Sequence, residues 1–128
     1  MHKHPNYENV VLEVMDYFKL KVDLLKNAGL TDIILDPGFG FGKNLNHNLD
    51  LLRSLQYFSM FELPILAGLS RKRMIRDIAN VEVDDALNAT VSANMIALIN
   101  SARILRVHDV KAAVQTVKMF NAVFSSVN

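Results

Sequence analysis

Along the chain, apolar and polar positions alternate in runs whose period changes. Between Glu8 and Ala28 the apolar residues Val11, Val14, Met15, Phe18, Val22 and Leu25 recur at three-and-four spacing, which predicts one amphipathic helix. Gly29 follows where a helix C-cap belongs. Ile33-Ile34-Leu35 is a continuous apolar run ending at Asp36-Pro37 and predicts a buried parallel strand. Leu45, Leu49, Leu52 and Leu55 predict a second helix with Asn44 or Asn46 as its N-cap. Pro64-Ile65-Leu66-Ala67 predicts a second buried strand, broken at Gly68, and Leu69 to Ala79 a basic loop or short helix. Asp84 or Asp85 can cap a helix running to about Asn100, with Leu87, Val91, Asn94 and Leu98 on one side. Ala102 to Val107 predicts a third strand. Asp109 can cap a last helix that turns Ala113, Val114, Val117, Phe120 and Phe124 inward.

The resulting order is α-β-α-β-α-β-α, three strands and four helices, with no Pro/Gly/Ser-rich linker dividing it. That alternation predicts an α/β fold with parallel strands and right-handed crossovers. The strand ends Asp36, Gly68 and Arg106 lie 32 and 38 residues apart. A (β/α)8 barrel of ~250 residues averages ~31 residues per βα unit, so these units with a leading helix fit the second half of a TIM barrel. A doubly wound sheet is the alternative that periodicity leaves open. Either fold gathers ligands at the C-terminal ends of its strands. Asp36, Gly68 to Lys72, and Arg106 to Asp109 all stand at such ends.

Composition narrows the function classes. The 128 residues, 51% hydrophobic and 21% charged, are enough for one packed domain or part of a larger one. A net charge of +1, from 14 basic and 13 acidic side chains, carries no nucleic-acid footprint and no polybasic membrane signal. Cysteine is absent, which excludes disulfides, thiolate metal sites and cysteine nucleophiles. No apolar run approaches the ~18 residues of a membrane span. The N-terminal MHKHPNYENV has no signal-peptide core, so a cytoplasmic protein is expected and the sequon Asn88-Ala89-Thr90 is set aside.

The stretch ILDPGFGFGKN places three of the chain's five glycines within Gly38 to Gly42. It is not a P-loop: the first glycine of that pattern would fall on Pro37, and Asn44 replaces the Ser or Thr after Lys43. Nor is it a dinucleotide fingerprint, because the third glycine would fall on Lys43 or Leu45. A carboxylate at Asp36 would repel a polyphosphate but suits a ligand edge offering N–H donors. The alternating glycines would let the backbone lie close to a flat ligand. A tight strand-to-helix turn with Phe39 and Phe41 as core anchors is the alternative reading of the same residues.

Two further stretches stand at strand ends. In GLSRKR, the cations Arg71, Lys72 and Arg73 follow the second strand, so Lys72 or Arg71 is expected to face the mouth. Gly68-Leu69-Ser70 is not a nucleophile elbow, since Lys72 occupies the place of the second glycine. In RILRVHDV, Arg106 and His108 share one strand parity and together predict an anion site, with Asp109 left to the next helix. His2, His4 and His47 have no comparable setting. Asp36 and Asp109 are too few acids at the mouth for a closed metal site, so no metal ligand is assigned.

At these stretches, ILDPGFGFGKNLNHN, LPILAGLSRKRMI and ARILRVHDV, the sequence resembles the C-terminal half of dihydropteroate synthase over about Tyr7 to Val123. The resemblance implies a (β/α)8 barrel. This chain would supply strands six to eight and four helices, as a partial pterin-binding domain spanning 1–128 that lacks the N-terminal half and is inactive without it. It also implies condensation of 6-hydroxymethyl-7,8-dihydropterin pyrophosphate with p-aminobenzoate, releasing pyrophosphate. Asp36 would then hold the pterin's amino-pyrimidine edge, Lys72 would contact the pterin, and Gly68 would leave room for its ring. Arg106 would stack on the pterin and, with His108, bind the leaving pyrophosphate. Phe41 and Ser70 would line the p-aminobenzoate side, where sulfonamides bind. Mg2+ is implied too, with its ligand in the missing half, and so is a homodimer through Asp109 to Phe124.

Two family-typical glycines are replaced, by Asn88 and Ser101, and Met1-His2 matches the family's Met-His after strand five. A looser relative is the pterin-binding domain of methyltetrahydrofolate methyltransferases, which lacks the Ser-Arg-Lys and Arg-Val-His-Asp pairing. A pterin- or anion-binding module without catalysis, or a purely structural barrel piece, remains the alternative from another class.

Overall fold

A computed structural model describes residues 9–124; the expected helix start at Glu8, together with Met1, His2 and His4, lies outside them. Helix α1 spans Val10–Asn27 and is capped by Asn9, whose Oδ1 accepts the Leu12 N–H at 3.1 Å. Its inward face is the expected one: Phe18 and Val22 are buried and Val11, Val14, Met15 and Leu25 pack against the core. The Leu30 N–H closes the far end on the Leu25 carbonyl across Gly29. Helix α2, Leu45–Arg53, is capped by Asn44 in a reciprocal box with His47, at 2.9 and 3.2 Å. Its inward residues are Asn48, Leu51 and Leu52, followed by Leu55 and Phe58 of a 3-10 helix over Leu55–Phe61. Leu45 is 38% exposed, so the face is rotated from the one its leucines predict. Asn48 turns it inward by binding the glycine loop (below). Phe18 meets Phe58 edge to face at 5.2 Å and joins α1 to this layer.

The sheet is shorter than predicted. Leu35 makes a single parallel bridge to Ile65, its N–H donating to Pro64 at 2.9 Å and its carbonyl accepting from Leu66 at 2.8 Å. Strand β1 is Leu66–Ala67 and strand β2 is Ile104–Leu105, paired in parallel with Leu66 opposite Ile104. The spatial order is therefore Leu35, β1, β2. Ile33, Leu35, Ile65, Ala67 and Leu69 are buried beneath the helices. Ile34, between two of them, is 53% exposed, so the Ile33–Leu35 run is covered on one side and not on both. Leu66, Gly68, Ile104 and Arg106 share the parity of the uncovered side.

The basic segment after β1 is a turn followed by helix α3, Arg73–Ala79, which makes five α-helices among the described residues. Helix α4, Leu87–Ile99, starts at Ala86 with no side-chain cap bond, because Asp84 and Asp85 are taken up in a 3-10 turn over Val83–Asp85. Thr90, Ala93, Asn94, Ala97 and Leu98 form its buried face. The Asn100 amide ties its end to the Leu52 carbonyl at 2.8 Å. Helix α5, Val110–Phe124, packs chiefly on α4. It buries Ala113 and Thr116, whereas Val114 and Phe124 are exposed, contrary to the inward face predicted for them. Small residues let α5 approach closely, and the Thr116 hydroxyl can be buried because it donates to the Ala112 carbonyl at 2.8 Å.

Candidate functional site

The glycine loop is built around its two ends. Asp36 Oδ1 accepts the Gly38 N–H at 2.9 Å and starts the turn. Gly38, Gly40 and Gly42 then carry φ of 76°, 94° and 62°, conformations that a residue with a Cβ rarely adopts. Lys43 Nζ donates back to the Gly38 and Phe41 carbonyls at 2.9 and 3.2 Å, and Asn48 Oδ1 accepts the Gly40 N–H at 2.9 Å. Lys72 Nζ donates to the Phe39 carbonyl at 2.6 Å from across the mouth. The two phenylalanines divide the readings left open above: Phe39 is 1% exposed and anchors the loop, whereas Phe41 is 60% exposed and faces out. An added Cβ at Gly38 or Gly40 would make only ordinary contacts at 3.6–3.8 Å. Turn geometry is thus enough to require these glycines.

Clearance is needed at Gly68 instead. An added Cβ there would run into the Arg106 guanidinium, with Cζ at 2.8 Å. Arg106 lies over this glycine and donates from Nη1 to Asp36 Oδ2 at 2.9 Å, joining the end of the first apolar run to the end of β2. Both side chains remain partly open to solvent. The flat guanidinium, the carboxylate and the bare backbone thus converge on the uncovered side of the sheet.

The loops after β1 and β2 are clasped twice. Ser70 Oγ lies 2.8 Å from His108 Nδ1 and accepts the His108 backbone N–H at 3.2 Å. One residue on, Arg71 donates from Nε and Nη2 to the two carboxylate oxygens of Asp109, both at 3.0 Å. Arg71 sits at φ 55° and also binds the Val83 carbonyl. Of the two cations expected at the mouth, Lys72 faces it and Arg71 does not. Asp109 keeps its place before α5, its carbonyl accepting the Ala113 N–H, but its carboxylate serves Arg71.

Lys72 also lies over the Phe41 ring, 5.3 Å from its centroid. Burial pulls its ammonium below the usual lysine range; the Arg106 charge pushes the same way and Asp36 opposes. Lys43 is lowered by burial as well. Asp109 is held below the ordinary carboxylate range by the Arg71 hydrogen bonds. A cavity of about 580 Å³ opens beside the loop, lined by Phe41, Lys43, Asn48, Lys72, Arg73 and Asp77 among others. Ser70, only 7% exposed and turned to His108, is not among its lining residues.

Sequence reasoning missed Asn48, Lys43 as a loop tie, and the Arg71–Asp109 clasp. A polar residue at the inward phase of α2 was the one signal for Asn48. The clasp joins residues 38 apart and leaves no local trace.

An α/β chain with this carboxylate, glycine and guanidinium at its parallel strand ends matches one family. Residues 1–108 match the family described as pterin binding enzyme, and the chain belongs to it. Its relatives are dihydropteroate synthases, as the three motifs implied. That of Escherichia coli (strain K12) is 41% identical over 128 residues, covering 98% of this chain and 45% of that protein. The crystal structure of the Yersinia pestis enzyme in a sulfonamide drug complex has a TM-score of 0.92 at 37% identity, covering 98% of this chain and 47% of that one. The Thermus thermophilus enzyme in complex with 6HMPPP gives 0.92 at 38% identity, over 97% of this chain and 51% of that one. The chain thus spans about half the length of the relatives it matches. Among the described residues, no helix is long and apolar enough to cross a membrane.

Proposed function

We propose that this chain carries the C-terminal part of a dihydropteroate synthase site, strands six to eight of a (β/α)8 barrel, in a cytoplasmic folate pathway. The reaction would condense 6-hydroxymethyl-7,8-dihydropterin pyrophosphate with p-aminobenzoate to 7,8-dihydropteroate and pyrophosphate. The observation that carries this reading is the convergence of Asp36, Gly68 and Arg106 on the uncovered side of the sheet, in a chain of this family.

In this reading Asp36 accepts N–H donors from the pterin's amino-pyrimidine edge. The ring stacks on the Arg106 guanidinium, which itself lies over Gly68, and sits beside Lys72. The bond from the pterin methylene to the pyrophosphate oxygen breaks with its electron pair on the oxygen. Arg106, Lys72 and the His108 imidazole stabilise that developing charge. The p-aminobenzoate nitrogen attacks the methylene carbon and loses a proton to solvent. Positioning and charge stabilisation do most of this work. Phe41 would line the second substrate's side, at the cavity that also contains Lys72, where a sulfonamide could also sit.

The resemblance also implies Mg2+. Among the described residues no three His, Asp or Glu are gathered, and both carboxylates nearest the mouth are held by guanidinium groups. These residues do not form a Mg2+ site. The last helices, with Val114, Met119, Val123 and Phe124 exposed on α5, would supply the homodimer contact.

A pterin- or anion-binding module without turnover is the second reading, since binding alone would use the same Asp36–Arg106 convergence. Calorimetry with dihydropterin pyrophosphate tests the site. Arg106→Ala and Asp36→Ala should each weaken binding by about tenfold or more, as loss of a charge-assisted contact does. Unchanged affinity in both would remove the site assignment. Turnover that appears only when the N-terminal half of a relative is supplied separates the synthase reading from the binding module.

A further inference from the structure

We propose that Ser70 is a positioning residue that fixes the neutral His108 ring as the Nε2–H tautomer, so that an N–H donor points toward the anion end of the site. This rests on the anion-binding reading of Arg106 and His108 given above. What decides the tautomer is hydrogen-bond satisfaction at a buried hydroxyl facing an exposed imidazole. Ser70 is buried, and its Oγ has two neighbours, both from His108: the backbone N–H at 3.2 Å and ring Nδ1 at 2.8 Å. The backbone N–H can only donate, so Oγ accepts there. A serine hydroxyl has one proton of its own to place. If Nδ1 carried a hydrogen, Oγ would accept twice and its own proton would have no acceptor among the contacts it makes. If Nδ1 is bare, the hydroxyl donates to it and every group is satisfied. The neutral ring then carries its hydrogen on Nε2.

The surroundings hold this geometry in place. The Arg71–Asp109 clasp fixes the next pair of residues in the same register, so the Ser70–His108 contact is the inner of two rungs between the loops. Arg106 lies two residues before His108, just past the end of β2, and Lys72 follows two residues after Ser70. Ser70 thus acts through His108 and would not touch the substrate, which differs from the substrate-lining part first expected of it.

Nitrogen-15 NMR of the imidazole rings in the 128-residue chain, at a pH of about 8.5 where a histidine is neutral, tests the tautomer without any ligand. His108 should show a hydrogen-bonded, unprotonated Nδ1 and a protonated Nε2. A protonated Nδ1 overturns the proposal. Titration with inorganic pyrophosphate tests the consequence. Ser70→Ala should weaken binding by about three- to tenfold, the range of one lost orienting hydrogen bond, whereas Ser70→Thr, which keeps the hydroxyl, should restore most of it. In a His108→Ala background, Ser70→Ala should have no further effect. Equal weakening in both backgrounds shows that Ser70 acts through packing and overturns the proposal. If the unmodified chain binds no pyrophosphate, the anion-site reading fails, and the tautomer is still decided by the ligand-free spectra.

Discussion

Ser101 adopts φ 87° between α4 and β2, a region where a Cβ is crowded and where the sequence resemblance points to a glycine. Asn88, the other replaced glycine, lies in the first turn of α4 and is not among the non-glycine residues at positive φ. The two replacements therefore have different consequences. Left-handed backbone costs a residue with a Cβ about 1–2 kcal/mol, and glycine's extra freedom in the unfolded chain offsets about 0.5–1 of that. Ser101→Gly is expected to raise stability by up to ~1 kcal/mol, read as a higher urea midpoint; a fall in midpoint would contradict the strain. Single residues were legible where chemistry and position coincided, as at Asp36 and Arg106. Ser70 was not, because a serine carries no hydropathy signal for burial, and its partner lies 38 residues away.

Between elements, the Arg71–Asp109 clasp makes an acid-dependent link from the β1 loop to the start of α5. The Asp109 carboxyl is depressed, chiefly by the Arg71 hydrogen bonds. A depressed carboxyl gives stability that is fully present above its unfolded pKa of about 4 and is lost as pH falls through the lower folded value. Asp109→Asn is therefore expected to lower the urea midpoint at pH 7, and the gap to the unmodified chain should close below about pH 4. A gap of equal size at pH 2 and pH 7 would contradict the link.

Helix faces were legible where large apolar residues recur, as in α1. In α2 the expected Leu52 and Leu55 are buried but Leu45 is not, because Asn48 goes inward for a hydrogen bond, and α5 was misread at Val114 and Phe124 because its buried face is made of small Ala113 and Thr116. The strand positions were legible and their lengths were not. Pairing extends only as far as neighbouring backbone does, and here it reaches one bridge and two residue pairs.

Among the described residues, one sheet face lies under helices and the other is uncovered. Ile34, 53% exposed, marks the uncovered side. In the 128-residue chain, Ile34→Ser is expected to cost about 1 kcal/mol or less, the range for a half-exposed apolar side chain. It should also reduce association in sedimentation at rising concentration. A loss of several kcal/mol would mean that this side chain is covered within the chain itself. Three apolar residues in a row could not announce that the middle one lacks a cover, since a period of two shows only when polar residues interrupt it.

The contact between Asp36 and Arg106 has an effect on binding that neither residue has alone. Each holds the other's charge while the site is free. A molecule that takes the carboxylate with its own N–H groups releases the guanidinium, and an anion that takes the guanidinium releases the carboxylate. Two separate ligands should therefore bind with positive heterotropic coupling. A phosphate-free pterin should raise the affinity for inorganic pyrophosphate by about fivefold or more, and by linkage the reverse must hold to the same degree. Asp36→Asn should abolish the coupling and, by freeing the guanidinium, tighten pyrophosphate binding when no pterin is present. Independent binding in the unmodified chain would show that the pair imposes no such condition. With it, the site answers most strongly to a molecule that brings both ends at once.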